Sequence, residues 1–525
     1  MKDEQMKKTM NGALVLAVAA LVAKILSAIY RIPFQNIVGN TGFYVYQQVY
    51  PIYGIGMTFA LNGLPVFISK LVAQKDDEKQ RMKIVSQVFA LLSCLAIVIF
   101  LLLQVDAKVI ASWMGDIQLA PLISSVSWMF LLMPFLASAR GYYQGTFKMM
   151  PTAISQVSEQ FVRVALIIGV ALLSSNFGWD VYKTGSLAML GSVFGAIVAL
   201  LTFLTFWRYF LKKADFSAAK ADYYQVFRLI FKDGMIICLF SALMVFLQLV
   251  DSFTVMNALK EFGSSVTSAK FTKGIYDRGQ PLVQLGMTIA ISFSSTLLPS
   301  LTAALKQKKI HVYRNVSSGM LHIGSALSVA ATAGMICLMP QLNTLLFGDS
   351  NLSLTISIYV LSVPLISIIS IYNSILQSVG NFFGTFLAVV TALVTKILLN
   401  AWLIKLYGII GASICTIISL GAALLVLILI LPRSVRQRPN EFLVFICKLV
   451  VCIVLMIVGI IFLEYIWTLF FALNRVNCLA FVPLMIIVGA VLFIGCALKS
   501  HLFTQEEWET LPGGSKIIER NKLSK

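Results

Sequence analysis

The residues best placed to do chemistry in this 525-residue chain are charged and amide side chains stranded inside long apolar runs. An ionisable group within a membrane-spanning segment is expensive unless it faces protein, water or a partner, so each one is a candidate functional residue. Lys24 lies about 12 residues into the first apolar run, roughly 18 Å deep at 1.5 Å per residue. That is too deep to snorkel easily. Arg31 follows seven residues later, which at 100° per residue returns it to within about 20° of the same face, with Ser27 between them. Arg31 therefore either shares a polar stripe with Lys24 or reaches the headgroups by snorkelling. In the segment PTAISQVSEQFVRV, residues Gln156, Glu159, Gln160 and Arg163 share one helical face by i, i+3, i+4, i+7 spacing. That face is unsuited to lipid and either binds a polar ligand or neutralises itself through a Glu159–Arg163 pair. Tyr46, Tyr50 and Tyr53 form a helical stripe beside Gln47 and Gln48, with Pro51 as a kink point. Their rings either stack on sugars or form an interfacial aromatic belt.

In the second half, Asp251 and Lys396 are read as lying at nearly equal depths in their spans. A buried acid and base at one level are cheaper together than apart, so the pairing Asp251–Lys396 is expected, with Asn400 one turn along as a third member. Arg278, in YDRGQPLVQLG, stands next to Asp277, with Gln280 and Gln284 following; it is a ligand candidate or an interface anchor. Taken together, Lys24, Arg31, Arg163, Arg278 and Lys396 outnumber Glu159 and Asp251. Surplus positive charge in a low-dielectric cavity favours an anion, and planar guanidinium forks suit phosphate oxygens. The implied cargo is anionic and phosphorylated.

These side chains must be held by membrane helices. The chain is 59% hydrophobic and 12% charged, with mean hydropathy +0.88, which excludes a soluble enzyme. Apolar runs long enough to span a bilayer occur at 12–33, 43–69, 84–105, 119–139, 152–174, 184–207, 228–256, 280–303, 316–340, 353–378, 382–405, 409–431, 442–466 and 479–499, fourteen in all. Ala17-Val18-Ala19 resembles a cleavage site, but so many later spans favour an uncleaved anchor. With the N-terminus inside, inner segments hold 28 of the 41 basic residues and outer ones 8, so both termini are expected in the cytoplasm. The net charge of +19 thus reads as membrane topology rather than nucleic-acid binding. Half of the outer basic residues, Lys260, Lys270, Lys273 and Arg278, crowd into one loop. Pro65 and Pro299 are 234 residues apart, and Gln144 and Gln377 are 233 apart, which suggests a duplicated six-helix unit with a site between its copies. The eight cysteines are scattered without a C-x-x-C, so free thiols, no metal site and no cofactor are expected.

The phrases AKILSAIYRIPFQNIVGNTGFYVYQQVYPIYGI, NGLPVFISKL, RGYYQGTFKMMPTAISQVSEQFVRV and YDRGQPLVQLGMTIAISFSSTLLPSL resemble the polysaccharide-exporter branch of the multidrug/oligosaccharidyl-lipid/polysaccharide (MOP) flippases. They look most like Gram-positive MurJ-like lipid II flippases and their sporulation-linked relatives. The resemblance implies an all-α, fourteen-span protein of the bacterial cell membrane, with an N-lobe at 1–211, a C-lobe at 212–432, a two-helix hairpin at 433–500 that forms a lipid-tail groove, and a cytoplasmic tail at 501–525. It implies alternating access about a cationic cavity, moving a polyprenyl-diphosphate-linked sugar from the inner to the outer leaflet. The expected partners are that anionic lipid-linked oligosaccharide and membrane lipids, with a monomer as the working unit and no catalytic residues. Lys24 and Arg31 loosely match a basic pair on helix one of MurJ-like proteins, and Arg278 matches the arginine opening helix eight; these three would grip the diphosphate. Two departures stand out. Residues 43–69 lack the arginine often found on helix two. Where some relatives resemble sodium binders, using acids on helices seven and eleven, this chain keeps Asp251 but offers Lys396, so a fixed ammonium would replace sodium. A drug/cation antiporter would want buried carboxylates where helix one is cationic. A membrane enzyme would need catalytic groups: Asp106 and Asp116 lack apparatus around them, His322 reads better as a packing or capping residue, and no phosphate loop is present.

Overall fold

The computed structural model describes residues 2–216, 220–288, 301, 305, 310–431 and 439–510, and every regular element among them is helical. Pro299, most of the expected eighth span, the basic segments around 306–309 and 433–438, and the tail beyond 510 lie outside the described residues. Among the described residues, twelve helical segments are long and apolar enough to cross a membrane, which makes this a multi-pass membrane protein. They divide into two compact units: residues 1–281 with 385–419, and residues 282–384 with 420–525.

The first unit runs through α1 (Lys2–Ile29), α2 (Arg31–Thr58), α3 (Leu64–Ala73), α4 (Glu78–Val105), α5 (Ala107–Trp113), α6 (Ala120–Gly145), α7 (Met149–Phe177), α8 (Val181–Leu201), α9 (Leu204–Lys213), α10 (Lys220–Leu229), α11 (Met235–Ser241), α12 (Leu243–Glu261) and α13 (Val266–Tyr276). The helix Phe382–Tyr407 and the start of Ile409–Ile430 complete it. Several expected spans are broken, each for a local reason. Backbone hydrogen bonds Tyr30 N to Leu26 O and Phe34 N to Tyr30 O carry the chain from α1 into α2. The real break comes at Gly39, with φ 72° and ψ −178°, a region that essentially only glycine occupies. This break splits the 56-residue apolar segment Val18–Ala73. The α2 helix continues through Pro51 to a π-helical turn at Phe59–Gly63. A second π turn, Ile230–Gly234, interrupts the expected seventh span, and a further break at Ala242 leaves α12 as its apolar part.

Between lipid-embedded helices the hydrophobic effect offers little, so close backbone approach and dispersion decide the packing. Two small-xxx-small steps supply that approach. In α6, Gly141 and Gly145 meet α3: added Cβ atoms would fall 2.5 Å from Ile68 and 2.7 Å from Val72. In α8, Gly191 and Gly195 meet α7, where a Cβ on Gly195 would lie 2.7 Å from the Glu159 carbonyl. These contacts bring α7 and its polar face into the interior. The two π turns meet through neighbouring residues: a Cβ on Gly63 would fall 2.3 Å from Cys238 Sγ, and one on Gly234 would fall 3.1 Å from the Phe67 ring.

In the second unit, Ile310–Cys337 packs on Ser362–Ser378 and on Pro439–Phe470, which in turn packs on Arg475–Lys499. The C-terminal helix Gln505–Thr510 opens with a capping box: Thr504 Oγ1 accepts from Glu507 N, and Glu507 Oε2 accepts from Thr504 N at 2.8 Å. His322, rather than serving chemistry, stacks on Phe445 at 4.3 Å and hydrogen-bonds Glu507 at 2.7 Å.

Candidate anion site and its polar neighbours

The α7 face reaches the interior, but Glu159 and Arg163 do not pair with each other. Glu159 accepts from Arg140 Nη2 on α6 at 2.6 Å, and both side chains are fully buried. Arg140 also donates to Ser155 Oγ and, through Nη1, to the Ala60 carbonyl inside the first π turn. The i, i+4 pairing, one of the two readings that the spacing allowed, does not form because a partner on another helix satisfies the carboxylate and the π turn together. Arg140 was legible only as a basic residue at the inner end of a span, so its role needed the tertiary contact.

Arg163, freed from Glu159, donates through Nη1 to Gln160 at 3.0 Å and through Nη2 to the Tyr30 and Tyr46 hydroxyls at 2.8 and 3.2 Å. Its guanidinium lies 4.1 Å above the Tyr53 ring. Arg31, 1% exposed, lies 4.2 Å above the Tyr50 ring, and Arg163 also approaches that ring, at 5.8 Å. The tyrosines are therefore not an interfacial belt: Tyr46, Tyr50 and Tyr53 are buried and form, with Tyr30, a cage for two guanidinium groups. Neither arginine has a carboxylate within ion-pair distance among the described residues, and the Nε of each is buried without a hydrogen-bond partner. Cation–π contact and hydroxyl dipoles hold this double positive charge. Gln156 is buried, with an unpartnered Oε1. Lys24, half-buried on α1, has no hydrogen bond or ion pair among the described residues. Such a site can bind an anion.

Asp251 and Lys396 do meet, at 2.8 Å, with both side chains nearly inaccessible. The ammonium also contacts the Ala412 carbonyl at 3.1 Å and Thr416 Oγ1 at 2.7 Å. Asn400 Nδ2 donates to Asp251 Oδ1 at 2.8 Å, and Tyr276 OH donates to Oδ2 at 3.2 Å. Lys396 is thus held by three oxygens from two helices and belongs to a network separate from the arginine cage.

The crowded loop of basic residues is α13 and its flanks. Lys260 donates to the Gly115 carbonyl at 2.7 Å, and Lys270 pairs with Asp116 at 2.9 Å. Asp116, which looked isolated in sequence, also accepts from Tyr44 and Tyr182. Lys273 pairs with Asp277 at 2.5 Å, and Arg278 Nη2 donates to Asn40 at 2.6 Å. Arg278 is fully buried, beside the Gly39 break.

Residues 9–305 match the family model described as polysaccharide biosynthesis protein. The chain is 35% identical to an uncharacterized membrane protein, YabM, of Bacillus subtilis (strain 168), over 97% of this chain and 95% of that one. It is 24% identical to the lipid II flippase MurJ of the same organism, over 80% and 81% of the two chains. Among solved structures, a lipid II flippase MurJ in an inward closed conformation aligns with TM-score 0.70 at 16% identity, covering 92% of this chain and 98% of that one, a likeness of fold. With a family model over more than half its length and a relative matched nearly end to end, the chain belongs to the polysaccharide biosynthesis protein family, within the polysaccharide-exporter branch of the MOP superfamily.

Proposed function

We propose that this protein flips a polyprenyl-diphosphate-linked sugar, lipid II or a related lipid-linked oligosaccharide, from the inner to the outer leaflet by alternating access. The observation that carries the reading is the pair Arg31 and Arg163: two buried guanidiniums, caged by tyrosines and with no carboxylate at ion-pair distance among the described residues, in a family described as polysaccharide biosynthesis protein. Fixed positive charge without an internal counter-ion calls for an anionic ligand, and guanidinium edges suit phosphate oxygens. A relative named as a lipid II flippase supports the substrate class. On this reading Lys24, Arg31, Arg163 and Gln156 contact the phosphates, Arg278 supports them from beside Gly39, and the Glu159–Arg140 pair fixes the α7 face. The two six-helix lobes, 1–211 and 212–432, would rock as fourteen crossings with both termini cytoplasmic. The Gly39 break, which makes two spans of one apolar segment, supports that count together with the expected span at 280–303. The hairpin at 433–500 would take the lipid tail, and a monomer would suffice. Asp251, Lys396 and Asn400 would couple motion to the driving force, with no free cation needed.

The test is reconstitution with labelled lipid II and, separately, with a capsule-type lipid-linked oligosaccharide. Wild type is expected to flip lipid II. Lys24→Ala, Arg31→Ala and Arg278→Ala should each slow it roughly tenfold or more, the weight of a charge-assisted hydrogen bond of about 1.5–3 kcal/mol. Transport of neither lipid by wild type, or full activity in all three variants, would refute the reading.

A further inference from the structure

Outside the arginine cage, one buried acid is only half satisfied. Asp277 follows α13, between the apolar helix α12 and the expected eighth span, and is fully buried. Its Oδ1 accepts from Lys273 Nζ at 2.5 Å and from Gln280 Nε2 at 3.0 Å, while its Oδ2 is buried without a hydrogen-bond partner. The same short segment is fastened to α2 by three further contacts. Gln47 Nε2 donates to Gln280 Oε1 at 3.0 Å, Arg278 donates to Asn40, and Gly274 packs so closely that a Cβ there would fall 2.1 Å from the Asn40 carbonyl. Asp277 thus sits at the centre of a clasp between residues 273–280 and α2.

We propose that Asp277 is a proton-binding residue whose neutral form holds the 273–280 segment against α2. An ionised carboxylate with one oxygen stranded in a dry interior is poorly solvated, and a proton on Oδ2 replaces that buried charge by a neutral hydroxyl while Oδ1 keeps accepting from its two donors. The groups facing it are Lys273, Tyr276 and Arg278 on its own segment, Asp251 on α12, and Arg31 and Tyr44 on α2. Burial pushes the Asp277 carboxyl up to about 6, the nearby Asp251 pushing the same way, and Lys273 and Arg31 offset this only in part. A carboxyl raised above its solvent-exposed value binds its proton more tightly in the clasped arrangement than in an open one. Acidification through about pH 6 therefore favours the clasp, and ionisation above that loosens it. In the transport reading above, with this end of the molecule outside, protons from the outer medium would drive the return to a closed outer face. Only that coupling sense rests on the flippase proposal.

The proton site can be tested without any sugar lipid. Spin labels at Thr267→Cys and Lys183→Cys, both exposed positions, in a background with the eight native cysteines replaced, report the separation of α13 from α8 in nanodiscs. The distance distribution should narrow to its short component as pH falls from about 8 to about 5, with a midpoint near about 6. Asp277→Asn should hold the short component throughout, while Asp277→Glu should still titrate. Infrared difference spectra over the same range should gain one buried carboxylic-acid carbonyl band that shifts in Asp277→Glu. A distribution that ignores pH, an Asp277→Asn variant that titrates like wild type, or a band unmoved in Asp277→Glu would overturn the proposal. Failure here would leave the flipping assay's outcome untouched, and failure of flipping would leave this site standing.

Discussion

A guanidinium has two flat faces and an edge of N–H donors, and three of the buried arginines of the first unit, Arg31, Arg140 and Arg163, divide these differently. Arg31 and Arg163 lay a face on tyrosine rings. Arg140 spends its edge on Glu159, Ser155 and a π-turn carbonyl. The first two keep a net positive charge to offer; the third is neutralised in place. Removing one member of a buried ion pair strands the other, at a cost of about 3–5 kcal/mol, whereas replacing both by apolar groups is often neutral. Glu159→Ala is therefore expected to lower thermal or denaturant stability by about 3–5 kcal/mol, and Arg140→Met with Glu159→Leu by clearly less. Equal losses in the single and double variants would mean the pair does not act as a unit. From sequence, the polarity of this face was plain and its pairing was not. Spacing names neighbours within a helix, whereas Arg140 reaches Glu159 across two helices.

At the scale of elements, hydropathy located most spans because the bilayer demands length and apolarity together. The breaks were harder to read. A π turn or a kink costs one or two backbone hydrogen bonds, and a neighbouring side chain can repay them, as Arg140 does for Ala60. The expected belt of tyrosines failed for a related reason: a helical aromatic stripe looks the same in sequence whether it meets headgroups or buried arginines. What was present but unread is the small-residue step on α8. Gly195 sits against the Glu159 carbonyl, a backbone atom that cannot swing aside. Gly195→Ala should push α8 from α7, lowering stability by about 1–3 kcal/mol. Because the shift falls at Glu159 and Arg163, it should reduce lipid II flipping more than Gly169→Ala on α7, where an added Cβ meets nothing within 4 Å. Equal behaviour of the two variants would count against this packing role.

For the molecule as a whole, membership in its family was legible from a few phrases spread along the chain, and the model match over residues 9–305 rests on the same region. Of the stranded cations, the structure brings Arg31 and Arg163 together on shared tyrosines. Lys396 has a carboxylate of its own, because burial favours a private counter-ion wherever no ligand supplies one. The Lys396 arrangement has a consequence at this scale: its ammonium, covalently tethered, fills an oxygen-lined niche that a free monovalent cation would otherwise suit. Flipping in proteoliposomes should therefore be unchanged when sodium is replaced by choline, and a strict sodium requirement would refute this.

The close approach of Cys238 to Gly63 makes that sulfur a timepiece already present in the native chain. Buried and packed on the Gly63 backbone, the thiol is expected to be alkylated fastest while its two segments stand apart, so the speed of its labelling measures how often they part company.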